Sequence, residues 1–247
     1  MPKTPPAVLM LIPTPFLLGA LIGLIVGLIA GSFVAGAVTL LVVSLVSAVA
    51  LYLAAEKIAL RLLNARPLAA GGSTLLRNSL DELCARTGLG EPDLYTAGPG
   101  PAAIASLGRG HPSLVVTDGL TDELTVIELE AALARELARA MSGSTNVDTL
   151  AVPFITLPLA MFGEVPTRVL QWFRGGDYDA RCDLEGVGIT RYPPGMSAAL
   201  EKMTTSDRPA PPGSSAVAHL WATGREPASK KPGIYGVDER LELLREL

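Results

Sequence analysis

The chain contains, near its start, a long segment without a charged side chain. Residues 4–55 are about 52 consecutive positions that lack Asp, Glu, Lys and Arg and are rich in Leu, Val, Ile, Ala and Gly. As one helix, at about 1.5 Å per residue, the segment would be about 78 Å long, whereas the hydrocarbon core of a bilayer is about 30 Å thick. We therefore predict two membrane-crossing helices, one near Pro13 to Ala30 and one near Val34 to Ala55.

The charges beside this hairpin predict its orientation in the membrane. The turn between the helices, around Gly31, Ser32 and Gly36, carries no charge. Positive residues lie on both sides of the hairpin, at Lys3, Lys57, Arg61 and Arg66. Because Lys and Arg favour the cytoplasmic side, we expect both ends to face the cytoplasm of a multi-pass protein of the cell membrane. A secretory signal peptide is the alternative, but its apolar part spans only about 7 to 15 residues.

Residues 61–247 are predicted to form a soluble domain that follows the hairpin at residues 1–60. The net charge of −4 and the lack of a basic patch interleaved with aromatic residues argue against nucleic acid as a partner. Cys84 and Cys182 are the only cysteines, and in a cytoplasmic domain we expect both to be free thiols. The expected partners are membrane lipid and another membrane protein or a second copy of the chain.

Periodicity and turn residues predict a mostly α-helical domain with a small β-sheet. Leu76, Leu80 and Leu83 recur at helical spacing, and short β-rich runs cover Asp93–Thr96 and Ser113–Thr117. A capping box at Thr125 and Glu128 is expected to begin a helix over Val126–Met141. Further helices are predicted over Ala180–Thr190, Met196–Met203 and Val237–Leu247, and a flexible loop over Thr204–Ser215.

A second uncharged stretch covers residues 149–163 and contains Pro153 and Pro158. It is too short for a comfortable membrane span, and one crossing would separate the two halves of the soluble domain. We therefore expect an interfacial or re-entrant segment. Trp172 and Phe173 suit the headgroup level of the membrane, and a role in the core suits them equally well.

The pentapeptide Arg135-Glu136-Leu137-Ala138-Arg139 has the spacing of the zinc-protease motif HExxH, in which histidines at i and i+4 share one metal ion. Here arginine occupies both histidine positions. A guanidinium has no lone pair to offer to a metal, so Arg135 and Arg139 cannot act as ligands. Glu136 occupies the position of the general base, which acts on metal-bound water. His111 and His219 have no metal-type partner at short spacing.

Several segments in order carry a family resemblance. Residues 102–109 resemble the pattern NAFA-x-G, residues 115–120 resemble V-T-x-G-L, residues 128–139 resemble ELEAVLAHELAH, and residues 177–180 resemble EYEAD. The helix at Ala198–Met203 and the terminal motif at Glu239–Leu241 match as well. The chain thus resembles, from about residue 15 to its end, the HtpX-type membrane zinc metalloproteases, relatives of the CAAX prenyl protease.

The resemblance implies an α+β zincin-like metalloprotease domain whose metal site has been lost. It places Asp179 at the third ligand position and implies that the family's zinc is absent, so that no cofactor is expected. It also implies a strand at the edge of the cleft, formed by Val115, Val116 and Thr117. Two neutral imidazoles, one carboxylate and Zn²⁺ carry a net charge of +1, as do two guanidiniums with one carboxylate. We therefore expect Arg135 and Arg139 to pair with Asp179, and with Glu136 or Asp183 as further partners.

Three functions are compatible with these observations. The first is an inactive, membrane-anchored peptidase homologue that binds another protein. The second is an active membrane metalloendopeptidase with an atypical metal site. The third is a structural subunit of a membrane complex, favoured by Gly19, Gly23 and Gly27, whose four-residue spacing promotes close helix contact.

Overall fold

The computed structural model describes residues 13–69, 72–162, 165–206, 208–223 and 236–247. Within these residues, a pair of long apolar helices precedes a four-stranded sheet that is covered by shorter helices. The predicted fold class, a mostly α-helical domain with a small sheet after a helical hairpin, is confirmed.

The hairpin consists of α1 (Pro13–Ala30) and α2 (Phe33–Leu62). Gly31 turns the chain with a positive φ of 59°, and the hydroxyl of Ser32 caps α2 by accepting from the amide of Ala35. Both helices are long and apolar enough to cross a membrane, and large apolar side chains cover their outer faces. The second helix extends beyond the predicted end at Ala55, because the polar positions that follow continue the helix into the domain.

The glycines of α1 face α2. A Cβ added at Gly23 would lie 2.7 Å from the carbonyl oxygen of Gly36, and one at Gly19 would lie 2.1 Å from Oγ of Ser44. Gly27 likewise approaches Gly36. The small-residue face is therefore used inside the hairpin, and it supports contact between α1 and α2 instead of contact with another subunit.

The sheet has the strand order β1-β2-β4-β3, with β1 at Arg66–Pro67, β2 at Asp93–Gly98, β3 at Ile104–Leu107 and β4 at Ser113–Thr117. β4 pairs in parallel with β2 and antiparallel with β3. The predicted strands correspond to β2 and β4. The prediction that Val115, Val116 and Thr117 form an edge strand is wrong, because β3 folds back onto β4 and places β4 inside the sheet.

Eight further helices of the described residues surround the sheet. They are α3 (Thr74–Thr87), α4 (Asp118–Glu123), α5 (Val126–Met141), α6 (Ser144–Ala151), α7 (Val165–Arg174), α8 (Tyr178–Thr190), α9 (Pro193–Thr205) and α10 (Val237–Arg245). The capping box at Thr125 and Glu128 is present, and α5 has its predicted bounds. The main core lies where Leu129, Leu133 and Leu137 of α5 meet the sheet and its neighbouring helices.

α8 approaches α5 very closely at a glycine. A Cβ added at Gly186 would lie 2.8 Å from Cα of Arg135. Any larger residue would push the two helices apart. The glycine therefore brings the acidic residues of α8 within reach of the arginines of α5.

The second uncharged stretch folds as a five-residue π-helix, Val152–Thr156, and a short 3-10 helix, Ala160–Phe162. Each is far too short to span a bilayer. The π-helix packs against α2 around Ala55, and the carbonyl of Phe154 accepts from the hydroxyl of Thr14 at 2.6 Å. The segment thus lies beside the first turn of α1 and the second half of α2.

Candidate functional site

The three polar residues of the pentapeptide on α5 are completely buried. Arg135 and Arg139 are each 1% exposed and Glu136 is 0% exposed. Two guanidiniums without access to water cost several kcal/mol each unless they are paired. The neighbouring elements supply carboxylates for both.

Arg135 forms ion pairs with three carboxylates. Its Nε donates to Asp183 at 2.7 Å and its Nη2 donates to Asp179 at 3.0 Å. Its Nη1 forms a short ion pair with Glu136. The structure therefore brings Asp179 and Asp183 to Arg135, although they follow it by 44 and 48 positions in the sequence.

Arg139 pairs with Glu136 and with Asp148 of α6. Its Nη1 donates to Glu136 at 2.6 Å and its Nη2 donates to Asp148 at 2.5 Å. The same Nη1 lies 3.3 Å from the carbonyl oxygen of Leu220. Among the described side chains, Arg139 forms no hydrogen bond or ion pair with Asp179, so only Arg135 pairs with Asp179, whereas both arginines pair with Glu136.

Two more arginines complete this buried ion-pair network. Arg174 of α7 pairs with Asp148, which also accepts from the hydroxyl of Tyr178 at 2.8 Å. Arg240 of α10 holds Asp183 through two hydrogen bonds, of 2.6 and 2.8 Å. The network consists of Arg135, Arg139, Arg174, Arg240, Glu136, Asp148, Asp179 and Asp183. Four positive and four negative groups leave it neutral.

Asp148, Arg174 and Arg240 were not predicted to be members of the network. The position of Arg240 in the terminal motif was an available signal, since that motif is part of the family resemblance. Asp148 and Arg174 lie on helices whose orientation is set by packing, and no local pattern marks them.

Glu136 has both of its carboxylate oxygens engaged. Oε1 faces Arg135, while Oε2 accepts from Arg139 and from the hydroxyl of Ser106 on β3. A general base has to reach the proton that it removes, directly or through one water molecule. With no exposed surface and its oxygens occupied by fixed donors, Glu136 is held as part of an ion-pair network.

The surroundings shift several pKa values. Burial alone would raise the pKa of Asp148, but Arg174 and Arg139 hold that pKa below its ordinary value. The pKa of Asp179 is lowered in the same way by Arg240 and Arg135, although about half of its side chain is exposed. Burial raises the pKa of Cys182 to about 11, so the thiol is protonated at neutral pH and is a poor nucleophile.

His219 lies beside this network as a neutral side chain. Burial, and after it Arg174, lower its pKa to about 4. Its Nε2 lies 3.1 Å from the carbonyl oxygen of Asp148 and donates to it. His111 lies on the exposed β3–β4 turn, where its Nε2 is 3.7 Å from Asp93.

The residues of the network do not fit a zinc ion. Zinc requires nitrogen, sulfur or oxygen lone pairs, usually in tetrahedral arrangement, and the guanidiniums of Arg135 and Arg139, which the resemblance aligns with two metal ligands, have none. Within the part of the chain that the structure describes, no group of three His, Cys, Asp or Glu side chains is placed to hold a metal.

Comparison with curated proteins finds several relatives with the same name. The chain is 25% identical to the "Protease HtpX homolog" of Tropheryma whipplei strain Twist, over 79% of this chain and 80% of that protein. It is 25% identical to the homolog of Caldanaerobacter subterraneus subsp. tengcongensis, over 79% of each chain. The homolog of Pelotomaculum thermopropionicum is 34% identical over 48% of this chain and 43% of its own length. No family model matches, and no solved structure matches.

The apolar hairpin, the α+β domain and these relatives define a membrane peptidase-like protein. The resemblance to the HtpX-type family is confirmed, since its relatives cover most of the chain under that name.

Proposed function

We propose that this chain is a membrane-anchored HtpX-like peptidase homologue without protease activity, which acts by binding another protein or as a subunit of a membrane complex. The observation that supports the proposal is the closed ion-pair network around Arg135, Glu136 and Arg139. It occupies the place where the resemblance locates the metal and the general base.

Peptide hydrolysis by the metalloprotease mechanism requires a water molecule whose pKa is lowered by a metal. Arg135 and Arg139 cannot bind that metal, and Glu136 has no free oxygen with which to remove a proton. Both parts of the reaction centre are therefore missing, so retaining Glu136 does not retain activity.

The guanidiniums of Arg135 and Arg139 together carry two positive charges, the same charge as one Zn²⁺ ion, and they balance two of the four carboxylates. Replacing both by neutral imidazoles would leave the four carboxylates with only Arg174 and Arg240, a deficit of two positive charges. A Zn²⁺ ion would supply that charge. The arginines thus stabilise the acidic cluster of the fold without a metal.

Metal content and proteolysis of the full-length protein in detergent test this proposal. We expect no stoichiometric zinc and no cleavage of casein. A variant with Arg135→His, Arg139→His and Asp179→Glu should gain one zinc ion per chain. The matched control, Arg135→Gln with Arg139→Gln, has the same charge deficit without imidazoles and should gain none.

A natural protein that carries a stoichiometric metal and cleaves casein in a chelator-sensitive way would contradict the proposal. That result would favour the other function, an active membrane metalloendopeptidase with an atypical metal site.

The proposed binding role concerns the cytoplasmic face of the cell membrane and a partner that is another membrane protein or a second copy of this chain. The small-residue face of α1 is already covered by α2. A partner would therefore contact other surfaces of the hairpin or of the domain.

A further inference from the structure

β3 is the edge strand that lies next to the buried ion-pair network. Its neighbour on one side is β4, and the hydroxyl of Ser106 on β3 donates to Glu136. An edge strand presents unpaired amides and carbonyls, to which an extended peptide can add as a further strand. A peptide added to the outer edge of β3 would lie beside the strand that carries Ser106, the residue that contacts Glu136.

The chain itself occupies this edge. Ala105 of β3 pairs antiparallel with Trp221, and the amide of Ala222 donates to the carbonyl oxygen of Ile104 at 2.9 Å. Continuing this register places Leu220 opposite Ser106. The carbonyl oxygen of Leu220 lies 3.3 Å from Nη1 of Arg139, the residue at a former metal-ligand position.

Apolar contacts hold the segment in place. Val217, Leu220 and Trp221 are buried in one cluster with Ala105, Leu107 and Val115 of the sheet. The segment begins with a short 3-10 helix, Ser215–Leu220, in which the carbonyl of Ala216 accepts from the hydroxyl of Thr156 at 2.6 Å.

We propose that residues 220–222 bind to the outer edge of β3 in the same way as an added extended peptide. They thereby close the former substrate groove. The inference rests on the proposed function, in which this groove no longer serves catalysis. It predicts that an extended peptide has no access to β3 in the natural chain, so that partners bind elsewhere on the protein.

A variant that weakens the occupant tests the proposal in the full-length protein in detergent. Ala222→Pro removes the amide that donates to Ile104, and Trp221, with ψ of 141°, already has the conformation that precedes a proline. Ala222→Gly is the matched control, because it retains the amide. The probe is a fluorescein-labelled peptide with the sequence of residues 216–223, AVAHLWAT.

We expect Ala222→Pro to bind this peptide about tenfold more tightly than the natural chain, the ratio that one net hydrogen bond provides. Ala222→Gly should bind as weakly as the natural chain. Equal affinity of the natural chain and Ala222→Pro would overturn the proposal.

Amide hydrogen exchange in the natural chain provides a second measurement that does not depend on folding of a variant. We expect the Ala222 amide to be as strongly protected as the amides of β4, and rapid exchange there would overturn the proposal. If the protein contains a metal and cleaves casein while the Ala222 amide is protected, the proposed function is rejected and the closed groove is not. A metal-free protein with an unprotected Ala222 would reject the closed groove alone.

Discussion

Arginine is seldom found fully buried, and here two arginines one helical turn apart are buried together. Both arginines pair with Glu136. In addition, Arg135 pairs with Asp183 and Arg139 pairs with Asp148. The planar guanidinium donates in several directions at once, which a lysine could not reproduce. The stability of the site therefore depends on each carboxylate.

Asp183→Asn tests this dependence. Asp183 accepts from both Arg135 and Arg240, and asparagine keeps its shape while removing its charge. Removing one partner of a buried ion pair lowers the free energy of unfolding by about 3 to 5 kcal/mol. Each kcal/mol lowers Tm by about 2 to 4 °C in a domain of this size. Thermal unfolding in detergent should therefore show a Tm lower by roughly 6 to 20 °C.

The control for this substitution is Asp177→Asn. Asp177 pairs with Arg181 at 3.2 Å on the surface, where both side chains are about half exposed, and such pairs contribute roughly 0 to 1 kcal/mol. A similar Tm for both variants would contradict the importance of the buried network.

His219 predicts a pH dependence of stability. Its pKa of about 4 in the folded state lies below the ordinary value of 6.5, so the unfolded chain binds an additional proton between these values. The contribution of His219 to the free energy of unfolding should thus be constant above about pH 6.5. It should fall as the pH decreases toward 4, by up to about 1.4 kcal/mol per pH unit. The pKa values of Asp148 and Asp179 are also lowered in the folded state, so these carboxylates stabilise the protein at neutral pH. Their contribution is lost only as the pH falls below about 4.

Thermal unfolding of His219→Gln between pH 4 and 7 measures this contribution. The variant should lose much of the decrease in Tm between pH 6.5 and 4, whereas His111→Gln, at an exposed position, should keep it. Identical pH profiles for His219→Gln and the natural chain would show that the imidazole of His219 is not responsible.

At the scale of elements, α7 and the 3-10 helix Ala160–Phe162 form an exposed apolar surface beside the hairpin. Met161, Phe162 and Trp172 are exposed, while Leu170 and the partly buried Phe173 pack toward α2. The core role considered for Trp172 is therefore wrong, and that for Phe173 is correct in part. Their contact with the membrane remains a prediction.

Quenching of tryptophan fluorescence tests this membrane contact. Trp172 is 68% exposed and Trp221 is 2% exposed. In vesicles of lipids brominated near the headgroup, Trp172 should be quenched strongly and Trp221 weakly. Trp172→Phe should remove most of the quenching, and unchanged quenching in that variant would contradict an interfacial position.

The elements differ in how well the sequence predicts them. The bounds of α5 follow from its capping box and its helical periodicity, which are local signals. β3 was missed because Ile-Ala-Ser-Leu lacks a β-branched alternation and lies in a segment rich in Gly and Pro. That segment is a strand because it pairs with β4 and Trp221.

At the scale of the whole molecule, the buried ion-pair network connects distant parts of the chain. Arg135 and Asp183 are 48 positions apart, and Asp183 and Arg240 are 57 apart. Through these contacts, α5, α8 and the C-terminal helix α10 meet at one site. Losing one carboxylate would therefore loosen several elements together.

The sequence by itself determined the apolar hairpin, the helix that carries the site and the lack of metal-binding lone pairs on the side chains of Arg135 and Arg139. These are properties of composition, of local periodicity and of the side chains themselves. Only the tertiary structure decided that Asp148, Arg174 and Arg240 complete the network, that β3 is the edge strand, and that residues 220–222 cover it. The physical reason is that these contacts join residues far apart in the chain, and packing between elements, which no local pattern encodes, selects them.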